Sequence, residues 1–161
     1  SAIQAYYAIA GNFEMKSSYH PHTKPVILGI LVCIFIEIII GTEIRGGLDM
    51  SRKENPLIEG VILLKMLGPF KYIHTILGLS LLAFTVYLRK IVNDIKFISS
   101  SFMVNSVNFM MGLIITQIIL GEALVFLEVK PLMQLFHMWF SSLLVGLSVA
   151  SFTFYKISME K

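Results

Sequence analysis

The chain has 161 residues, of which 56% are hydrophobic and 14% charged, with a mean hydropathy of +0.78. A soluble domain cannot hide that much apolar surface, so the composition points to an all-α integral membrane protein with room for about four spans of roughly 20 residues each. The formal net charge of +3 is spread over loops, which argues against a nucleic-acid partner and leaves membrane lipid as the obvious one.

The first stretch, SAIQAYYAIAGNF, reads like the tail of a preceding helix, with Tyr6 and Tyr7 at an interface. Residues 12 to 24, NFEMKSSYHPHTK, are polar and read as a linker. Residues 1–24 are thus expected to be tail and linker, and residues 25–161 the membrane domain. His20 and His22 flank Pro21 in the linker, where solvated loop histidines are the preferred reading over a surface metal pair.

The first span is expected from Pro25 to Arg45, with Pro25 at an early helical position. It is apolar except for Glu37, carries Thr42, Glu43 and Arg45 at its far end, and is expected to stop at Gly46-Gly47. Its Cys33 is the single cysteine of the chain and reads as a small buried hydrophobe. In the next stretch, Asn55-Pro56 has the form of a helix start and Gly68-Pro69 that of a stop. The apolar run between them is too short to span. It is expected to be an interfacial helix in the first outer loop, lying on the membrane surface as a lid over the bundle.

The second span is expected from about Pro69 to Lys90, where Arg89-Lys90 favours a helix end at an interface. A short polar loop, 91–100, leads to a third span from about Ser101 to Glu128, and a fourth runs from about Pro131 to Ile157. The fourth carries Ser142, Gly146 and Ala150 at spacings of four, a small-residue row expected to serve close helix packing. Lys and Arg divide seven against six between the two sides, which leaves orientation open; the cluster Arg89-Lys90…Lys96 favours termini on the cytoplasmic or matrix side.

Two stretches share a pattern. Ile36 to Arg45, IEIIIGTEIR, precedes His74, and Thr116 to Gly121, TQIILG, precedes His137. Each unit places a polar-glycine patch at the end of one helix and a histidine near the start of the next. The expected fold is therefore a four-helix bundle of two tandem two-helix repeats. His74 and His137 fall on helices running the same way, both roughly 7–9 Å below one membrane surface. Gly41-Thr42-Glu43 and Gly121-Glu122 arrive at a similar level from the other side.

Such a slot suits heme. Two opposed neutral imidazoles complete a six-coordinate iron, and Gly78, Gly112, Gly121 and Gly146 would let backbone approach a flat ring. Arg45, Lys71 and Lys130 are placed for its propionates. Structural hydrogen bonding by the histidines and another metal are the less favoured readings; zinc or copper would want three or four ligands. The nine methionines are scattered and read as gap-fillers. Glu37 and Gln117 occupy equivalent places, either as interhelical hydrogen-bonding groups or as polar groups near the ring. Glu43, beside Arg45, is the carboxylate favoured for chemistry, with a plain interfacial ion pair as its alternative.

At these residues the chain resembles the heme A synthase family. The resemblance lies in the Q-x-x-L-G run Gln117–Gly121 followed by His137, and in the G-T-x-x-R run Gly41–Arg45 followed by His74. It covers about residues 25 to 157, one half of a full-length member, and looks more like the second half. It implies an eight-span enzyme of two similar halves that oxidises a ring methyl of heme O to the formyl group of heme A. It also implies heme b, heme O or heme A as ligand and a partner in the other half or a second copy. The implied location is the bacterial or archaeal cytoplasmic membrane or the mitochondrial inner membrane. The alternative is a non-catalytic heme-binding or structural subunit of a respiratory complex. Departures are Thr75 after His74, where many members have arginine, and the lack of a cysteine pair in the outer loops.

Overall fold

The structure, a computed structural model, describes residues 18–58, 60–94, 96–97, 99–126 and 131–159. They form α1 (Thr23–Glu54), α2 (Gly60–Met66), α3 (Phe70–Val92), α4 (Ser101–Phe126) and α5 (Pro131–Met159). The four long helices are each long and apolar enough to cross a membrane. A bilayer offers backbone groups no water, so a helix that satisfies its own N–H and C=O groups is the economical way to cross it.

Helix ends follow local chemistry. Pro25 lies in the first turn of α1, where the N–H groups lack intrahelical acceptors anyway. The hydroxyl of Ser100 accepts from the Met103 N–H at 3.1 Å and caps α4. Gly68 has φ +68°, a left-handed conformation that ends α2 before Pro69.

The first span differs from expectation at its end. The helix runs straight through Gly46-Gly47 to Glu54, 32 residues or about 48 Å. Neither glycine has positive φ. Gly47 instead makes room for a neighbour, since a Cβ there would run into Leu67 Cδ2. Asn55 ends α1 rather than starting α2: its backbone N–H donates to Ser51 O at 2.9 Å, and its φ −133°, ψ 67° is a non-helical conformation of the kind Pro56 imposes on its predecessor.

The long helices pack in a ring, α1 against α3 and α5, and α4 against the same two. The helices carrying His74 and His137 therefore face each other diagonally. The short α2 packs against both α1 and α4, joining the other diagonal, with Leu63 fully buried.

Packing is lopsided along the bundle axis. Ile27, Ile30 and Ile34 of α1 meet Leu81 and Leu88 of α3, Met103, Val107 and Met110 of α4, and Leu144 and Tyr155 of α5. These residues come from the first half of α1 and α4 and the second half of α3 and α5, which is one end of the bundle. At the other end, among the described residues, the only fully buried hydrophobic side chain is Leu63, on the crossing helix. Part of the expected linker belongs to the packed end: Tyr19 is buried with its ring 5.2 Å from Tyr155, and His20 meets the ring of Phe97.

The small-residue row of α5 does not serve packing inside the chain. Ser142, Gly146 and Ala150 are exposed, and a Cβ on Gly146 would meet nothing within 4 Å. The inward stripe is Leu144, Ser148, Ser151 and Tyr155. Substituting Leu88 (0% exposed) with alanine is expected to cost about 2–4 kcal/mol of bundle stability. Ile76→Ala, at a residue 63% exposed in the chain, should stay within about 0.5 kcal/mol. Unfolding titrations in detergent followed by circular dichroism compare the two.

Candidate functional site

The loosely packed end holds Glu37, His74, Gln117 and His137. His74 lies four residues into α3 and His137 six into α5, so both are about 6–9 Å from the starts of their helices. Each ring lies beside a glycine of the neighbouring helix. A Cβ on Gly41 would be 3.5 Å from His74 Cε1, and one on Gly121 would be 3.8 Å from His137 Cε1. Both are ordinary contact distances, so the glycines give clearance rather than relieve a clash.

His74 has a buried carboxylate partner. Glu37 of α1, with a side chain only 12% exposed, meets Nδ1 of His74 through Oε2. Nδ1 is thus the ring nitrogen that faces the carboxylate, and Nε2 is the one left over. Gly78, one turn beyond His74, borders the same carboxylate: a Cβ there would lie 3.2 Å from Glu37 Oε1. The sequence marked Glu37 only as a polar group in an apolar run. Which helix it faces depends on the ring order of the bundle.

The second histidine is held differently. Gln117 of α4 donates from Nε2 to the backbone carbonyl of His137 at 2.7 Å and to Ser141 Oγ at 2.9 Å. The Ser141 hydroxyl also donates to the His137 carbonyl, at 2.9 Å. These bonds tie α4 to the first turns of α5 and leave the ring alone. His137 Nδ1 and Gln117 Oε1 are both buried with no hydrogen-bond partner.

The expected cations are placed as follows. Arg45 is exposed on α1, 3.9 Å from Asp49, and its Nη1 donates to Met138 Sδ at 3.1 Å, next to His137. Lys71, half-buried, precedes His74 by one turn and sets Nζ 4.6 Å above the Tyr72 ring. Lys130 lies outside the described residues. Glu43 is exposed on α1, and Glu122 is exposed on α4. A Cβ on Gly112 or Gly146 would meet nothing within 4 Å. Among the described residues, no three His, Cys, Asp or Glu side chains converge as a metal-ion site.

The fold thus defines a class, an all-helical bundle with four helices able to cross a membrane, with His74 and His137 on the two diagonally opposed helices α3 and α5. No family model matches the chain, and neither a curated protein nor a solved structure matches it.

Interhelical side-chain hydrogen bonds in membranes average about 0.6 kcal/mol and reach about 1.7 kcal/mol. Gln117→Leu, which removes both interhelical hydrogen bonds of the amide at once, is expected near the top of that range. Ser141→Ala, which leaves Gln117 its bond to the His137 carbonyl, should cost less. Detergent unfolding of the two variants checks the order.

Proposed function

We propose that this chain is a heme-binding membrane unit in which His74 and His137 are the two axial ligands of one iron, similar to one half of heme A synthase. The observation that carries the reading is the pair of histidines at matched depth on diagonal helices, each beside a glycine, at the end of the bundle where, among the described residues, Leu63 is the only fully buried hydrophobic side chain. Because α3 and α5 lie on opposite sides of the ring of helices, a planar group held by both histidines would sit between them.

The donor set fits such a group. His74 has its Nδ1 engaged by Glu37, so Nε2 is available for iron. His137 keeps a buried, unpartnered ring nitrogen, a costly state that a ligand or water would relieve. Arg45, beside Met138, and Lys71, one turn before His74, supply cations near the two histidines for the propionates, with Lys130 expected to join them. Gln117 and Gly121 fix the level of His137 and the clearance beside its ring. The short α2, linking α1 to α4, acts as the lid and lies at the membrane interface.

On this reading the bundle is two tandem two-helix repeats. Glu37 and Gly41 correspond to Gln117 and Gly121, and His74 and Gly78 correspond to His137 and Ser141. When bound, heme supplies one-electron chemistry and, in heme A synthase, carries the methyl group that becomes the formyl. The chain's residues bind the ring, orient it and exclude water from it.

A second reading is a non-catalytic heme-binding subunit of a respiratory complex. It is favoured by one observation. Glu43, the carboxylate proposed for catalysis, is exposed, while the buried carboxylate at the histidines is Glu37, already committed to His74. In either case the chain works in a bacterial, archaeal or mitochondrial inner membrane beside its other half, a second copy or a complex partner.

The purified chain, reconstituted with heme, is expected to show a low-spin reduced α-band that His74→Ala and His137→Ala each abolish or convert to high spin. A spectrum unchanged in both variants would sink heme ligation. Membranes containing the chain, together with its other half where one exists, should convert heme O to heme A if the first reading holds. A bound heme with no conversion favours the second.

A further inference from the structure

We propose that the two histidines are unequal and that Glu37 makes them so: it is a positioning residue that fixes His74 as the persistent iron ligand and leaves His137 as the exchangeable one. This rests on the heme reading above and goes beyond it by assigning different work to the two sides of the ring.

The inequality is visible in what holds each imidazole. His74 is gripped through its ring: the Glu37 carboxylate sits on Nδ1, and Gly41 lies against Cε1. The carboxylate is itself seated, because Gly78 leaves the space that a Cβ, at 3.2 Å from Oε1, would crowd. His137 is gripped only through its backbone. Gln117 stands at the place equivalent to Glu37, but it spends its amide N–H groups on the His137 carbonyl and Ser141. Ser141 stands where the first unit has Gly78, so the hydroxyl draws the amide away from the ring. Neither histidine's Nδ1 has a hydrogen bond, but that of His74 has the Glu37 carboxylate against it and that of His137 is buried with no carboxylate beside it.

A charged acceptor on Nδ1–H fixes the tautomer and raises the basicity of the far nitrogen, so a metal holds that imidazole more strongly. A neutral, unpartnered ring offers neither effect. With heme held by the two histidines, His137 would therefore be the ligand that a small neutral molecule such as carbon monoxide replaces on ferrous iron, a carbon–iron bond forming as the His137 nitrogen leaves with its lone pair. No electrons are transferred in this exchange.

The test uses the heme-loaded full chain. His137→Ala leaves His74 as the sole protein ligand, and resonance Raman reads the ferrous iron–histidine stretch directly. Adding Glu37→Gln to it is expected to lower that frequency and to weaken heme binding 10–100-fold, the usual cost of removing such an outer partner. Gly78→Ala, which crowds the carboxylate, should lower the frequency in the same direction. Glu122→Gln, at an exposed acid of α4, should leave it where it was. A merely structural role for Glu37 would not move this frequency, so an unchanged stretch overturns the proposal. So does a His74→Ala chain that keeps heme more tightly than His137→Ala. The carbon monoxide adduct of the chain with both histidines intact gives a second reading that needs neither histidine variant. There Glu37→Gln should shift the carbon–oxygen stretch, and no shift overturns the proposal. Failure of the heme reading is separate and comes earlier: the unsubstituted chain would take up no heme at all.

Discussion

A carboxylate inside an apolar span is expensive to hold unless it finds a donor, and in this chain Glu37 finds His74. Much of the polar end follows from that contact. It requires α1 and α3 to be neighbours, which the ring order of the bundle provides. It requires α3 to present no side chain at position 78, which Gly78 satisfies. It also directs the free nitrogen of His74 away from α1. Between α4 and α5 the contacts are neutral instead, made by the Gln117 amide, Ser141 and the His137 carbonyl.

The bundle divides its labour along its axis. One end is filled by isoleucine, leucine, methionine and valine from all four long helices and closed by Tyr19 against Tyr155. That end carries the stability. The other end is held by directional contacts: the Glu37–His74 pair, the Gln117 bonds to α5, the Arg45–Met138 contact and the crossing helix α2. Directional contacts fix geometry without filling volume. The lipid around the bundle accounts for the many exposed apolar residues, such as Phe35, Ile39 and Trp139.

The existence and rough bounds of the four spans were legible because apolar runs of membrane length stand between proline, glycine and charged residues. The two histidines were legible too, since ionisable groups are rare in such runs. Other features were not. The spans are apolar nearly all round, so no polar stripe marks the inward face. That is why the exposed row Ser142, Gly146, Ala150 resembled a packing seam while Ser148 and Ser151, which are buried, did not stand out. The same blindness to rotation hid which carboxylate, Glu37 or Glu43, meets a histidine. Gly46-Gly47 looked like a stop because glycine weakens helices, yet the pair continues the helix and Gly47 seats Leu67. Asn55-Pro56 carries the signals of both a start and an end, and only the run of α1 up to it decides.

The uninterrupted course of α1 has a mechanical side. At about 48 Å it exceeds the roughly 30 Å of bilayer hydrocarbon, so its last turns, with Asp49, Arg52 and Lys53, stand in the aqueous phase or among headgroups. Gly47, the seat of Leu67 at the end of the α2 segment, is ten residues from Glu37 on the same rod, with no hinge between them. A tilt or twist imposed on the outer segment is therefore carried as a rigid-body rotation to the carboxylate that grips His74. The segment that follows α1 and the buried carboxylate share one lever, so whatever docks against that segment is mechanically connected to the Glu37–His74 contact.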